Sequence, residues 1–174
     1  MENVQKIREA LPEAAKDLKL NLSNVLEQGS LTEGQRWAIA LASAIATRHA
    51  GLIDAVSQDA AGKITPEQLD DAKAAAALMG MNNVWYRFKH FMNNEEYEKA
   101  PARLRMQRIA KPASSKAEFE LYCLAVSAVH GCEMCVTSHE KVVREAGMSL
   151  DNVVDAVRIA ATIHGVANSM MIPA

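Results

Sequence analysis

SKAEFELYCLAVSAVHGCEMCVTSH, residues 115–139, decides the fold class, because it spells out two helices and the turn between them. Ser115 followed by Glu118 matches a capping box, in which the hydroxyl accepts from the third helical N–H and the carboxylate reaches back. A helix then runs through a nearly continuous apolar segment to about Val129, whose only strongly polar side chains from Phe119 onward are Glu120 and Ser127. Gly131 lets the chain turn. A second helix, 132–146, ends at Gly147, the residue type that closes helices in the left-handed conformation.

The same punctuation extends outward in both directions. Pro12 suits a first helical turn and opens a segment over 12–27, with Leu18, Leu22 and Val25 at helical spacing before Gly29. Ser30-Leu31-Thr32-Glu33 and Thr65-Pro66-Glu67-Gln68 are two further capping boxes. They open helices over 31–49 and from 66 to 78 or beyond, with Met79-Gly80-Met81-Asn82-Asn83 as the place to bend or break before an apolar stretch reaching Met92. Shorter helices are expected over 52–60 and 102–110, Asn93-Asn94-Glu95-Glu96 reads as solvated loop, and Ser149 caps a last helix over 150–169. No segment alternates with period two, so no strand is assigned. The expected architecture is all-α, a single-domain helical bundle over 1–174.

Composition narrows the function classes. The chain has 174 residues, is 49% hydrophobic but only 5% aromatic, and is rich in alanine, which favours closely packed helices. A net charge of −2 gives no electrostatic footprint for nucleic acid or an anionic membrane. The polar start, Met1-Glu2-Asn3-Val4-Gln5-Lys6, lacks the apolar core of a secretory signal, and no long apolar run suits a membrane span. The expected compartment is the cytoplasm, where cysteines rarely serve as structural staples.

Three cysteines are present, Cys123, Cys132 and Cys135. Helical spacing puts Cys132, Cys135 and His139 on one face, with both sulfurs in the first turn. There the unpaired N–H groups and the positive end of the dipole favour a thiolate, and the imidazole one turn on can take or return a proton. A dithiol of this spacing can pass through a sulfenic acid to an intramolecular disulfide. Two other readings stay open: small side chains packed in a core, or a zinc site needing a fourth ligand such as Glu120, His130 or His164. A carboxylate at Glu120 is costly on an apolar helix unless it is paired, and orienting His139 is a reason to keep it. Cys123 reads as core, His130 and His164 as structural.

Beyond these motifs, Leu11-Pro12-Glu13-Ala14-Ala15-Lys16-Asp17, Met79-Gly80-Met81-Asn82-Asn83-Val84 and Phe119-Glu120-Leu121 accompany Cys-x-x-Cys-x-x-x-His. Over nearly its whole length the chain thus resembles the alkyl hydroperoxidase D family of the carboxymuconolactone decarboxylase-like superfamily. The resemblance implies an all-helical fold of about eight helices, a homotrimer or a multiple of it, and reduction of organic hydroperoxides. It implies no bound cofactor: the reductant would be the lipoyl group of a partner acyltransferase protein, and electrons could pass on to the peroxiredoxin AhpC. By motif position Cys135 would become the sulfenic acid, Cys132 the proton donor and resolving thiol, and Glu120 with His139 the relay that deprotonates Cys135. Some relatives carry histidine just before the second cysteine, where this chain has Met134. A lactone decarboxylase that happens to carry cysteines, and a redox adaptor without peroxidase activity of its own, are the competing expectations.

Overall fold

Phe119 to Ser127 are all buried, which makes their helix the axis of the molecule in the computed structural model, which describes residues 1–173. Ala174, the last residue of the expected domain, lies outside the described residues. Ten α-helices and one 3-10 turn occur among the described residues, with no strand. In chain order they are α1 (Glu2–Ala10), the 3-10 turn (Glu13–Ala15), α2 (Lys16–Glu27), α3 (Glu33–Thr47), α4 (Ala50–Ala60) and α5 (Pro66–Met92), then α6 (Glu95–Lys99), α7 (Gln107–Ala110), α8 (Lys116–Val129), α9 (Glu133–Glu145) and α10 (Leu150–Ser169). Helices α3, α5, α9 and α10 pack around α8, α2 lies against α10, and α1 lies against α4.

Alanine makes this close packing possible. Ala38, Ala40, Ala42 and Ala44 of α3, Ala125 of α8, and Ala156 and Ala160 of α10 are fully buried. Larger side chains, Trp37, Phe119, Tyr122 and Leu124 among them, fill the remaining space in one continuous core. No helix of the described residues is long and apolar enough to cross a membrane.

The caps carry most of the helix boundaries. Thr65 with Gln68 and Ser149 with Asn152 form reciprocal capping boxes at the starts of α5 and α10. Ser115 accepts from the Glu118 N–H, but the Glu118 carboxylate turns to Gln68 and to the Ser115 hydroxyl instead of the Ser115 backbone. Four expectations need correction. Helix α3 is capped by Thr32 with Gln35, two residues later than expected, because Ser30 is engaged by Asp155 and Asn152. Helix α5 runs through Met79–Asn83 without a break, because Asn83 spends its amide on Ser127 and His130 rather than on the helix backbone. The expected helix over 102–110 shrinks to α7, since Arg103 takes a left-handed φ of 51° that a helix does not accept. The loop at 93–96 instead opens α6, whose cap is the Asn94 side chain. Helix α1 was not foreseen; its first turn is pinned by Asp59, which accepts from the backbones of Asn3 and Val4.

One buried carboxylate ties the long segment before α8 to the core. Asp71 accepts from the Arg108 guanidinium, from the Ala113 and Ser114 N–H groups and from the Ser114 hydroxyl. Burial pushes its pKa up, but these donors outweigh that and hold it below the usual carboxylate value. Asp71→Ala removes the shared acceptor of the partly exposed Arg108 guanidinium and of the Ala113 and Ser114 donors, and should cost about 1–3 kcal/mol in urea denaturation. With its native pKa depressed, Asp71 gives its full stabilisation above the unfolded-state pKa of about 3.9 and loses it as pH falls through the lower native value. The gap between wild type and variant should therefore be constant near neutrality and close in acid.

Candidate active site

Gly131 joins α8 to α9 in a way that places the first cysteine. Its φ of 65° is left-handed, its N–H bonds to the Ala128 carbonyl, and the Cys132 N–H bonds to the Ser127 carbonyl. This is a Schellman closure of α8. Cys132 is at the same time the N-cap of α9, its carbonyl accepting the Val136 N–H at 2.9 Å. One residue thus ends one helix and starts the next. No side chain caps α9, so the N–H groups of its first turn, residues 133–135, face the sulfurs' end of the helix without a capping oxygen.

Cys132 and Cys135 are joined as a disulfide, with Cα atoms 5.3 Å apart. Both are buried, at 1% and 6% exposure. His139 follows one turn after Cys135 and is also buried. Its Nδ1 lies 2.6 Å from Oε2 of Glu120, and its Nε2 lies 3.2 Å from Sδ of Met79 on α5. The Glu120–His139 pair spans α8 and α9, and the turn at Gly131 is what brings the two helices face to face. The four residues singled out in the sequence therefore lie together.

A cavity of 310 Å³ opens on this site. Cys135, His139 and Glu120 line it, and Cys132 does not. Met79, Met106, Ile109 and Val142 make its wall largely apolar, and half-exposed Met134 and Tyr86 also line it. Such a wall suits a substrate with an organic body and one small polar group.

The remaining candidates fall outside this cavity. Cys123 is fully buried in α8, and burial, with the Glu120 and Asp71 charges added, pushes its thiol pKa well above the ordinary value. His130 is half-buried, hydrogen-bonded through Nδ1 to Asn83, with burial lowering its pKa. His164 pairs on the surface with Asn168. The sequence reading missed Met79 and Asn82 as parts of the site, although both belong to the Met79–Asn83 motif that it had assigned to a helix break.

A cysteine pair at the head of one helix with a carboxylate–imidazole pair behind it, in an all-helical fold, has the groups that a helical thiol-based oxidoreductase needs. Residues 95–171, which span α6 to α10 and all four site residues, match the carboxymuconolactone decarboxylase family. Three relatives are each named "Alkyl hydroperoxide reductase AhpD". That of Anaeromyxobacter sp. (strain K) is 55% identical over 98% of this chain and 91% of its own length. That of Solibacter usitatus is 52% identical over 94% and 93%, and that of Rhodopseudomonas palustris 48% over 96% and 92%. The chain belongs to the AhpD family of alkyl hydroperoxide reductases, and is an oxidoreductase.

Proposed function

We propose that this protein is a cytoplasmic antioxidant peroxidase that reduces organic hydroperoxides through a Cys132–Cys135 dithiol–disulfide cycle. The observation that carries the reading is that Cys135 shares an apolar cavity with the buried Glu120–His139 pair while Cys132 sits behind it within bonding reach.

In the reduced protein His139, oriented and charge-balanced by Glu120, takes the Cys135 proton. The thiolate, favoured by the uncapped first turn of α9, attacks the terminal oxygen of the hydroperoxide. The S–O bond forms and the O–O bond breaks; sulfur is oxidised to the sulfenic acid, and the departing alkoxide takes the Cys132 proton to become the alcohol. The Cys132 thiolate then attacks the Cys135 sulfur, the S–S bond forms, and the displaced hydroxide leaves as water with the proton held on His139. Two thiol protons and two electrons leave as one alcohol and one water.

The dihydrolipoyl group of a partner acyltransferase protein closes the cycle by thiol–disulfide exchange and becomes the cyclic disulfide. The same dithiol can hand its electrons to the peroxiredoxin AhpC. The chain works as a homotrimer or a multiple of it. Val84, Phe88 and Phe91, exposed on one face of α5 at helical spacing, offer the apolar strip that a subunit interface needs.

Purified protein supplied with a dihydrolipoyl domain should consume an organic hydroperoxide such as cumene hydroperoxide catalytically, with no peroxiredoxin present. Disulfide exchange without peroxide consumption would leave only the adaptor role, and activity on a cyclic lactone that survives thiol alkylation would point to a decarboxylase.

A further inference from the structure

Two asparagines stand side by side in the middle of α5, both buried, at 3% and 1% exposure. Asparagine is a poor helix former, and a buried amide is costly unless its polar atoms are bonded. Asn83 meets that cost: its Nδ2 donates to Ser127 Oγ at 2.9 Å, and its Oδ1 accepts from His130 Nδ1 at 2.9 Å. Asn82 does not. Its Oδ1 is buried without a hydrogen-bond partner among the described residues. Ser43 Oγ, Trp85 Nε1 and Tyr122 Oη are likewise unpartnered, but none of these residues lines the cavity; Asn82 does, together with Cys135, His139 and Glu120. A side chain that lines the cavity beside a nucleophile and keeps an amide oxygen unspent, sealed from water in the free protein, is a place for a ligand's donor.

We propose that Asn82 is a substrate-binding residue that holds the –O–O–H group of an organic hydroperoxide against Cys135; this rests on the peroxidase reading above. The hydroperoxide has one O–H donor, on its terminal oxygen, and that is the oxygen the sulfur must reach. Oδ1 of Asn82, sealed in the free protein, turns toward the cavity to accept this hydrogen and fixes the terminal oxygen at the Cys135 end, with the organic body along Met106, Ile109 and Val142. The Asn82 Nδ2–H group is then a donor beside the oxygen that leaves as alkoxide. The electron balance is that of the step already described: sulfur gains the terminal oxygen, the O–O bond breaks, and the alkoxide leaves with the Cys132 proton. Asn82 neither gives nor takes a proton.

The test measures sulfenic acid and disulfide formation in single-turnover reactions of the reduced protein with cumene hydroperoxide, for wild type, Asn82→Leu and Asn82→Ala. Leucine keeps the volume and removes the polar edge; alanine removes both, so that a packing fault in one variant does not mask the result. The second-order rate constant should fall about 10–100-fold in both, the worth of one hydrogen bond to a group developing charge. Methylation of Cys135 by iodomethane, read by peptide mass spectrometry, should change less than about twofold, since that electrophile has no hydrogen-bond donor or acceptor for Asn82 to hold. Loss of a structural asparagine, or of thiolate reactivity, would slow both reactions together and overturn the proposal. So would a peroxide rate equal to wild type in either variant. If the wild-type protein itself fails to react with the hydroperoxide, the peroxidase reading falls and this assignment with it; if wild type reacts and the variants match it, only the assignment of Asn82 falls.

Discussion

Cys135→Ser should abolish hydroperoxide turnover, leaving only the uncatalysed background, with fold and stability close to wild type. The hydroxyl is nearly isosteric, but it is far less acidic than a thiol, so the start of α9 and the His139 base cannot turn it into a competent nucleophile. Cys132→Ser should give the same steady-state result for a different reason. Cys135 still lines the cavity and can still be oxidised once, but no second sulfur lies within reach to expel the hydroxide. Cys132→Ser should therefore accumulate a sulfenic acid that dimedone traps after one equivalent of peroxide, and Cys135→Ser should not. Trapping in the opposite variant would reverse the two roles. Cys123 is no substitute in either case, because its burial holds it as a neutral thiol inside α8.

His139→Ala should lower turnover about 10²–10⁴-fold, the usual worth of a positioned general base. Glu120→Gln should come close to that loss while keeping a hydrogen-bonding side chain in place. An amide cannot balance the charge that His139 acquires when it takes the Cys135 proton, and its NH₂ group would favour the wrong imidazole tautomer. The two effects should not add, because Glu120 acts only through His139: the double variant should be little slower than His139→Ala alone. Additive losses, measured as single-turnover oxidation rates, would mean that Glu120 serves the site by another route.

Much of the site was legible because it is local. Cys132, Cys135 and His139 lie within eight residues, and a helical repeat alone stacks them. Glu120 was flagged by its cost on an apolar helix, but its pairing with His139 depends on the crossing of α8 and α9, set by the left-handed turn at Gly131 and the packing that follows it. The contribution of α5 was hidden for a different reason. Met79-Gly80-Met81-Asn82-Asn83 looks like a helix breaker when propensities are added along the chain, and only tertiary partners make the side chain of Asn83 harmless to the helix.

Helix limits failed where long-range partners decided them. Ser30 would cap a helix in isolation, but Asp155, 125 residues away, claims both its N–H and its hydroxyl, leaving the cap to Thr32. Helix α1 carries few apolar residues; Val4 is buried while Asp59 of α4 supplies acceptors for its free N–H groups, a cap that no local pattern encodes. At Thr65 and Ser149, where no distant group claims the capping hydroxyl, the sequence reading and the structure agree.

The account's central claim, that one sulfur of this helix start meets peroxide and the other closes on it, is tested most directly by intact and peptide mass spectrometry of the fully reduced protein after one equivalent of alkyl hydroperoxide. It predicts a quantitative loss of two hydrogens, a single Cys132–Cys135 cross-linked peptide, Cys123 still free, and complete reversal by dihydrolipoamide. A protein that keeps both thiols while the peroxide persists, or one that cross-links only between chains, would contradict it.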